Sequence, residues 1–254
     1  MEKLQELIRL PNGDVAERSV SDLIVRFAGM RRVLGTSRLN GGYREDLNAV
    51  FNHCDKQPET GRCIMRAATY REHLALAAGS IGVDPLHASG LSTALDMRYL
   101  QMAQRSRRGV SVTALVTGGI LHNGRRAGDP ATMWEEREKF YIAKGDLVET
   151  FPESGTINII LHLTADMTEN AMVTAVMVAT EAKAAAIQEE RMVSCYGDGL
   201  ATGSGTDGIL IIADASSPVR FTQVGTDTVA GECIGQVVKE AVRNSLRESI
   251  NWKG

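Results

Sequence analysis

The 254-residue sequence has no basic excess: 28 lysines and arginines stand against 31 aspartates and glutamates, and the isoelectric point is near 6.0. A protein that wraps nucleic acid or coats anionic lipid needs the opposite balance, so neither partner is expected. Cysteine is scarce. Cys54, Cys63, Cys195 and Cys233 include no Cys-x-x-Cys pair and are too few to staple a chain of this length, so they read as reduced thiols. Long apolar runs are missing as well. No stretch approaches a membrane-spanning length, and the opening Met1-Glu2-Lys3-Leu4-Gln5-Glu6 lacks the apolar core of a signal peptide. The expectation is a soluble, cytoplasmic protein.

Several catalytic signatures are absent too. There is no Gly-Lys-Ser/Thr phosphate loop, no His-Glu-x-x-His, no Gly-x-Ser-x-Gly elbow, and none of the five histidines has a close zinc-ligand partner. Neither a metal nor a required cofactor is expected. Gly203 to Gly208 fits G-x-G-x-x-G, but a dinucleotide fingerprint follows a strand and opens a helix, whereas this one leads into an apolar strand pattern. His53-Cys54 could suggest a thiol nucleophile, although a free cysteine more commonly packs.

What is present is a hydrophobic fraction of 43%, enough at this length to bury a sizeable core. Leu4 to Leu10 and Val15 to Val20 flank Pro11-Asn12-Gly13-Asp14, a hairpin signal, and Asp22 to Phe27 and Arg31 to Ser37 continue the meander. Leu39-Asn40-Gly41-Gly42-Tyr43 breaks it. A helix is expected from Met65 to Ala78, closed by Gly79 or Gly82, and a strand over Val110 to Thr117. The polar run His122 to Pro130 reads as a loop at that strand's end, and Met133 to Glu153 as a charged connector. In the strand Thr156 to Leu163, Ile157, Ile159, Leu161 and Leu163 face one way, while Asn158 and His162 share the other face. Asp166-Met167-Thr168-Glu169 resembles a capping box with Asp166 as the cap, opening a helix to about Glu190. The strand Gly208 to Ala213 and a final amphipathic helix carrying Ile234, Val237, Val238, Ala241 and Ser245 complete the chain. Strands and helices alternate without a clean βαβ repeat. The expected class is α+β, a single domain over 1–254 with a mixed or largely antiparallel sheet covered by helices.

One position breaks the helical pattern. Residues 172, 176, 179, 183 and 187 read Met, Val, Ala, Lys, Ile, so Lys183 occupies a place in an apolar stripe. An unpaired buried ammonium is costly, so Lys183 either reaches past the stripe to water or meets an anion in a site. Thr180 and Lys183 have the i, i+3 spacing of a hydroxyl–lysine dyad, a weak signal alone.

Four blocks, in order, resemble the adenosylcobinamide amidohydrolase family of corrinoid salvage. They are Val116-Thr117-Gly118-Gly119 with Asn123 and Arg126-Ala127-Gly128-Asp129-Pro130; Gly155-Thr156-Ile157-Asn158-Ile159-Ile160; Thr180-Glu181-Ala182-Lys183-Ala184-Ala185-Ala186; and Ala201-Thr202-Gly203-Ser204-Gly205-Thr206-Asp207. Weaker similarity runs from Asn40-Gly41-Gly42 to Gly231-Glu232-Cys233-Ile234-Gly235. The resemblance implies hydrolysis of the amide joining the aminopropanol arm to the corrin ring, with the corrinoid as substrate rather than cofactor. It is similar to the family with two departures: Ser204 stands where Thr is usual, and Asp227 where His is expected.

Amide hydrolysis needs a nucleophile, oxyanion donors and an acid for the departing amine. On this resemblance Lys183 and Asp207 form the charged pair that handles protons. Thr206 or Thr180 is the nucleophile, and Asn158 or glycine-rich backbone amides stabilise the oxyanion. Asn40, Gly41, Gly42, Asn123, Arg126, Asp129, Thr156, Glu181, Thr202 and Ser204 are the substrate contacts, although Asn, Gly and Asp are also ordinary turn chemistry. Two other readings stay open: a noncatalytic corrinoid carrier, and an N-terminal-nucleophile acyltransferase or peptidase cut before Thr156 or Thr206. A homo-oligomer is compatible with all three.

Overall fold

In the computed structural model, residues 3–56, 63–137, 139–142 and 155–251 are described. The Asn12-Gly13 turn, with Gly13 at φ +88°, joins β1 (Gln5–Arg9) to β2 (Val15–Arg18). The meander ends with β3 (Asp22–Arg26); β4 (Arg31–Gly35) and β5 (Gly42–Arg44), expected to continue it, pair with each other in a different sheet, and β6 (Ala49–Cys54) returns to pair with β3. Helix α1 (Tyr70–Ser80) leads to β7 (Ala88–Thr93), then β8 (Gln101–Arg107) and β9 (Val110–Gly118). An exposed hairpin of β10 (Met133–Glu136) and β11 (Lys139–Ile142) falls inside the expected connector; residues 138 and 143–154 lie outside the described residues. Then come β12 (Ile157–Leu163), β13 (Asp166–Met167), α2 (Glu169–Glu189), β14 (Gly208–Asp214), β15 (Arg220–Phe221) and α3 (Val229–Asn251).

The strands form two large sheets, ordered β1-β2-β3-β6-β7 and β5-β4-β14-β12-β9-β8. Each is antiparallel except for one parallel pair, β6 with β7 and β12 with β14. Alternation along β12 and β14 explains the layering. Ile157, Ile159, Leu161, Ile209 and Ile211 pack on Met172, Ala175 and Ala179 of α2 and on Ile234, Val237 and Val238 of α3. Ile160, Leu210 and Ile212 point the other way, to Leu23, Val25, Val50 and Leu91 of the second sheet. That sheet's far side, with Ile24, Ala49 and Phe51, is covered by Leu74, Ala77 and Ala78 of α1. The order of layers is helix, sheet, sheet, helices, an α+β arrangement of mixed sheets. No helix among the described residues is long and apolar enough to cross a membrane.

Three expectations need correction. The parallel pairs are joined through α1 and α2, so the chain makes two βαβ crossovers, and in two sheets rather than one, although its sequence shows no clean βαβ repeat. Helix α1 starts at Tyr70 rather than Met65, because Thr69 and Glu72 form a reciprocal capping box. Asp166 does not cap α2: Thr168 occupies the cap, and the Asp166 carboxylate instead pairs with Arg32 and Arg220.

Charge closes one end of the space between the sheets. Arg31, 1% exposed, donates to both oxygens of Asp14 at 2.8 and 2.7 Å and to Asp214 at 2.9 Å. His162 Nε2 lies 2.9 Å from Asp14. Burial works to raise the Asp14 pKa, but hydrogen bonds from His162, Arg31 and the Ala28 N–H prevail and lower it from 3.8 to about 2.

Candidate functional site

At one end of the six-stranded sheet, β9 finishes while β12 and β14 begin: Gly118 pairs with Ile157, and Asn158 with Gly208. Helix α2 packs over this end and presents its apolar stripe, of which Met172, Ala179, Lys183 and Ile187 are all buried. Lys183 does not reach past the stripe to water. Its Nζ, on a residue 9% exposed, donates to Asp207 Oδ2 immediately before β14. Asp207 Oδ1 accepts from Ser204 Oγ at 2.5 Å, Ser204 N at 3.1 Å and Ile157 N at 3.2 Å. A buried ammonium and a half-buried carboxylate with this many donors offset much of each other's desolvation. Glycine is required at 203, because a Cβ there would lie 2.1 Å from Asp207 Oδ2 and 3.0 Å from Lys183 Nζ.

Three hydroxyls continue from the charged pair. Ser204 Oγ is 3.2 Å from Thr206 Oγ1, which is 3.1 Å from Thr156 Oγ1, and Thr156 also donates to the Thr206 carbonyl at 2.9 Å. Ser204 and Thr156 are each 5% exposed, whereas Thr206 is exposed. The arrangement is a relay from a buried ammonium and a half-buried carboxylate to a hydroxyl that meets solvent.

The loop after β9 clasps the glycine-rich segment before β14. Arg125 pairs its backbone with Gly203, and its guanidinium lies 3.7 Å above the ring centroid of Tyr196. Ala127 N donates to Thr202 Oγ1 at 2.9 Å, and Arg126 Nη1 to the Leu200 carbonyl at 3.2 Å. Ser194 Oγ and then Arg126 N, donating to Asp129, hold its carboxyl below the usual range. Asn123 is 4% exposed; its Nδ2 donates to the Gly155 carbonyl at 2.5 Å, and its Oδ1 has no hydrogen-bond partner among the described residues. Thus Asn123, Arg126, Asp129, Thr156, Thr202, Ser204, Thr206, Lys183 and Asp207 come together around one end of the sheet.

Other candidates lie apart from this group. Thr180 and Glu181 are exposed on α2, and no hydrogen bond joins Thr180 to Lys183 among the described residues. Asn158 points between the sheets, where its Nδ2 donates to Asn52 Oδ1 at 2.8 Å and the Ser92 carbonyl at 2.7 Å. Both amide hydrogens are committed there. Asn40, at φ 51°, donates to the carbonyls of Pro85 and Ala88, while a Cβ on Gly41 would meet the Ser37 carbonyl at 1.9 Å. Asn40, Gly41 and Gly42 build the turn into β5. Cys54 is buried, and burial pushes its thiol up to about 11. Among the described residues no group of three His, Cys, Asp or Glu side chains is placed to hold a metal ion.

The sequence profile of the adenosylcobinamide amidohydrolase family matches residues 9–254. The chain belongs to that family. It is 33% identical over 227 residues to the uncharacterized protein MJ1613 of Methanocaldococcus jannaschii, covering 88% of this chain and 85% of the other. Among solved structures it is similar to the PH0078 protein from Pyrococcus horikoshii, at 13% identity and TM-score 0.44, over 95% of this chain and 82% of that one. It is also similar to the L-aminopeptidase D-Ala-esterase/amidase from Ochrobactrum anthropi, at 14% identity and TM-score 0.42, over 96% and 81%.

Family membership places the protein among the amide hydrolases, with a corrinoid as the implied substrate. Three of the four amidohydrolase blocks supply the clustered residues directly; the helical one contributes Lys183 but not Thr180 or Glu181. The departure at Asp227 is remote from the cluster. Asp227 is exposed just before α3, whose start lies beside Val110, whereas the Ser245 hydroxyl of the same helix binds Gly118 at the other end of β9. Sequence reasoning passed over Arg125 and Tyr196, whose stacking has no periodic signature. It also passed over Gly155 and Gly203, which could have been found as glycines beside the polar residues they crowd.

Proposed function

We propose that this amidohydrolase hydrolyses the amide joining the aminopropanol arm to the corrin ring of adenosylcobinamide, releasing aminopropanol and adenosylcobyric acid. One observation carries the reading: Lys183, inside an apolar stripe, is hydrogen-bonded to a carboxylate whose other oxygen receives a chain of hydroxyls. The attacking group is a threonine hydroxyl of that chain, Thr206 at its exposed link or Thr156 at its buried end. Its proton passes through Ser204 Oγ to Asp207; the Lys183 ammonium gives a proton to the departing amine and takes that one from Asp207 in return, and water then hydrolyses the ester left on the threonine. Gly203 N–H already donates to Arg125 O, and Ser204 N–H to Asp207. The exposed Gly205 N–H is therefore assigned to the oxyanion. Arg126 and Thr202, on the rim, meet the amide fringe of the corrin.

The test incubates the purified protein with adenosylcobinamide, with and without chelator, and follows adenosylcobyric acid by chromatography and mass spectrometry. Product in both samples is expected. Unchanged substrate, with a corrinoid spectrum retained on the protein, would make it a carrier and contradict the hydrolase.

A further inference from the structure

The peptide bond between Gly155 and Thr156 has the surroundings of a reaction centre. Its carbonyl oxygen accepts the Asn123 amide at 2.5 Å, a donor placed where an oxyanion would form. The other Asn123 atom, Oδ1, is buried without a partner among the described residues and lies 3.3 Å from where a Gly155 Cβ would stand, so it faces the same residue. No side chain fits at 155: that Cβ would be 1.7 Å from the Gly119 carbonyl oxygen. On the other side of the bond, the Thr156 hydroxyl ends the relay through Thr206 and Ser204 to Asp207. A hydroxyl on Cβ reaches the carbonyl carbon preceding its own residue by closing a five-membered ring. Donor, nucleophile and proton path therefore converge on one bond of the chain itself.

We propose that the protein cuts itself once, between Gly155 and Thr156. The Thr156 hydroxyl hydrogen turns from the Thr206 carbonyl to Thr206 Oγ1 and leaves along the relay as Oγ1 attacks the Gly155 carbonyl carbon. The negative charge develops on the oxygen held by Asn123. The C–N bond then breaks, the nitrogen taking back the proton that the relay had received to become a free α-amine beside Asn123 Oδ1, and the Gly155 acyl group rests on Thr156 as an ester. Water hydrolyses the ester, leaving a carboxylate on Gly155 and a hydroxyl on Thr156. The net change is one water added. The new N-terminal threonine carries an amine next to its hydroxyl, the arrangement that activates such nucleophiles. The cut stands on this geometry alone; its use in turnover rests on the amidohydrolase reading.

Intact mass spectrometry of the full chain, fresh and after prolonged incubation, tests it. The expected result is two fragments, 1–155 and 156–254, whose masses sum to the intact chain plus one water, with N-terminal sequencing of the second reading Thr-Ile-Asn-Ile. Thr156→Ala, or Thr156→Val where shape must be kept, stays whole; Thr156→Ser still cuts; Asn123→Ala slows the cut by about 100-fold or more. A wild-type chain that stays whole while releasing adenosylcobyric acid overturns the proposal and leaves the hydrolase standing. A cut chain that turns over no corrinoid supports the cleavage and removes the substrate assignment.

Discussion

Lys183 shows how one residue can announce a buried ion pair. Its Nζ lies within a helix stripe that otherwise buries apolar side chains, and the structure supplies Asp207 as its anion. The fit around the pair is tight enough to test without touching either charge. Gly203→Ala would bring a methyl to 2.1 Å from Asp207 Oδ2, forcing the carboxylate away from Lys183 and Ser204. Turnover should fall by about 100-fold or more while the fold persists, read as kcat beside circular dichroism. Unchanged kcat would separate the pair from the chemistry. Lys183 was legible because an ammonium in an apolar stripe violates a local pattern. Asn158 is placed at the same site by the family resemblance, and alternation, which reveals which residues share a face, does not reveal what lies opposite. The opposite partner is Asn52, on a strand more than a hundred residues earlier.

The elements divide the same way. Strands with clean alternation, such as β12, and the long helices α2 and α3 could be read directly. Strands β6 and β7 could not, since Asn52 and His53 in one and Ser89, Gly90 and Ser92 in the other interrupt any period. Their burial is decided by partners distant in sequence: Asn52 by Thr117 and Asn158, His53 by Asp22. Missing them hid the second sheet and the crossover through α1, whereas β12, α2 and β14 were all legible and only their parallel pairing was not. The start of α1, by contrast, is set locally by Thr69 and Glu72. Thr69→Ala should cost about 1 kcal/mol of stability in denaturant unfolding and leave turnover unchanged, because α1 covers the face of the sandwich away from Lys183. A loss of activity at full stability would mean that α1 reaches the site.

Across the whole molecule, the two ends of the sheet sandwich hold different chemistry. One end carries the Lys183 relay; the other is closed by Arg31, Asp14, Asp214 and His162, which tie β2 and its preceding turn to β4, β12 and β14. Because Asp14 has its pKa lowered from 3.8 to about 2, the folded state gains stability above pH 4 and loses it as the pH falls toward 2. That contribution is about 2 kcal/mol. Asp14→Asn should flatten this acid limb of a stability–pH profile, and an unaltered limb would assign acid unfolding to other carboxylates.

The central claim is that Lys183, held by Asp207, works on a corrinoid amide. The most direct measurement compares wild type and Lys183→Met, matched for fold by circular dichroism, in release of adenosylcobyric acid from adenosylcobinamide. The account predicts product from the wild type and a rate lower by about 100-fold or more in the variant. Equal rates in the two proteins would contradict it.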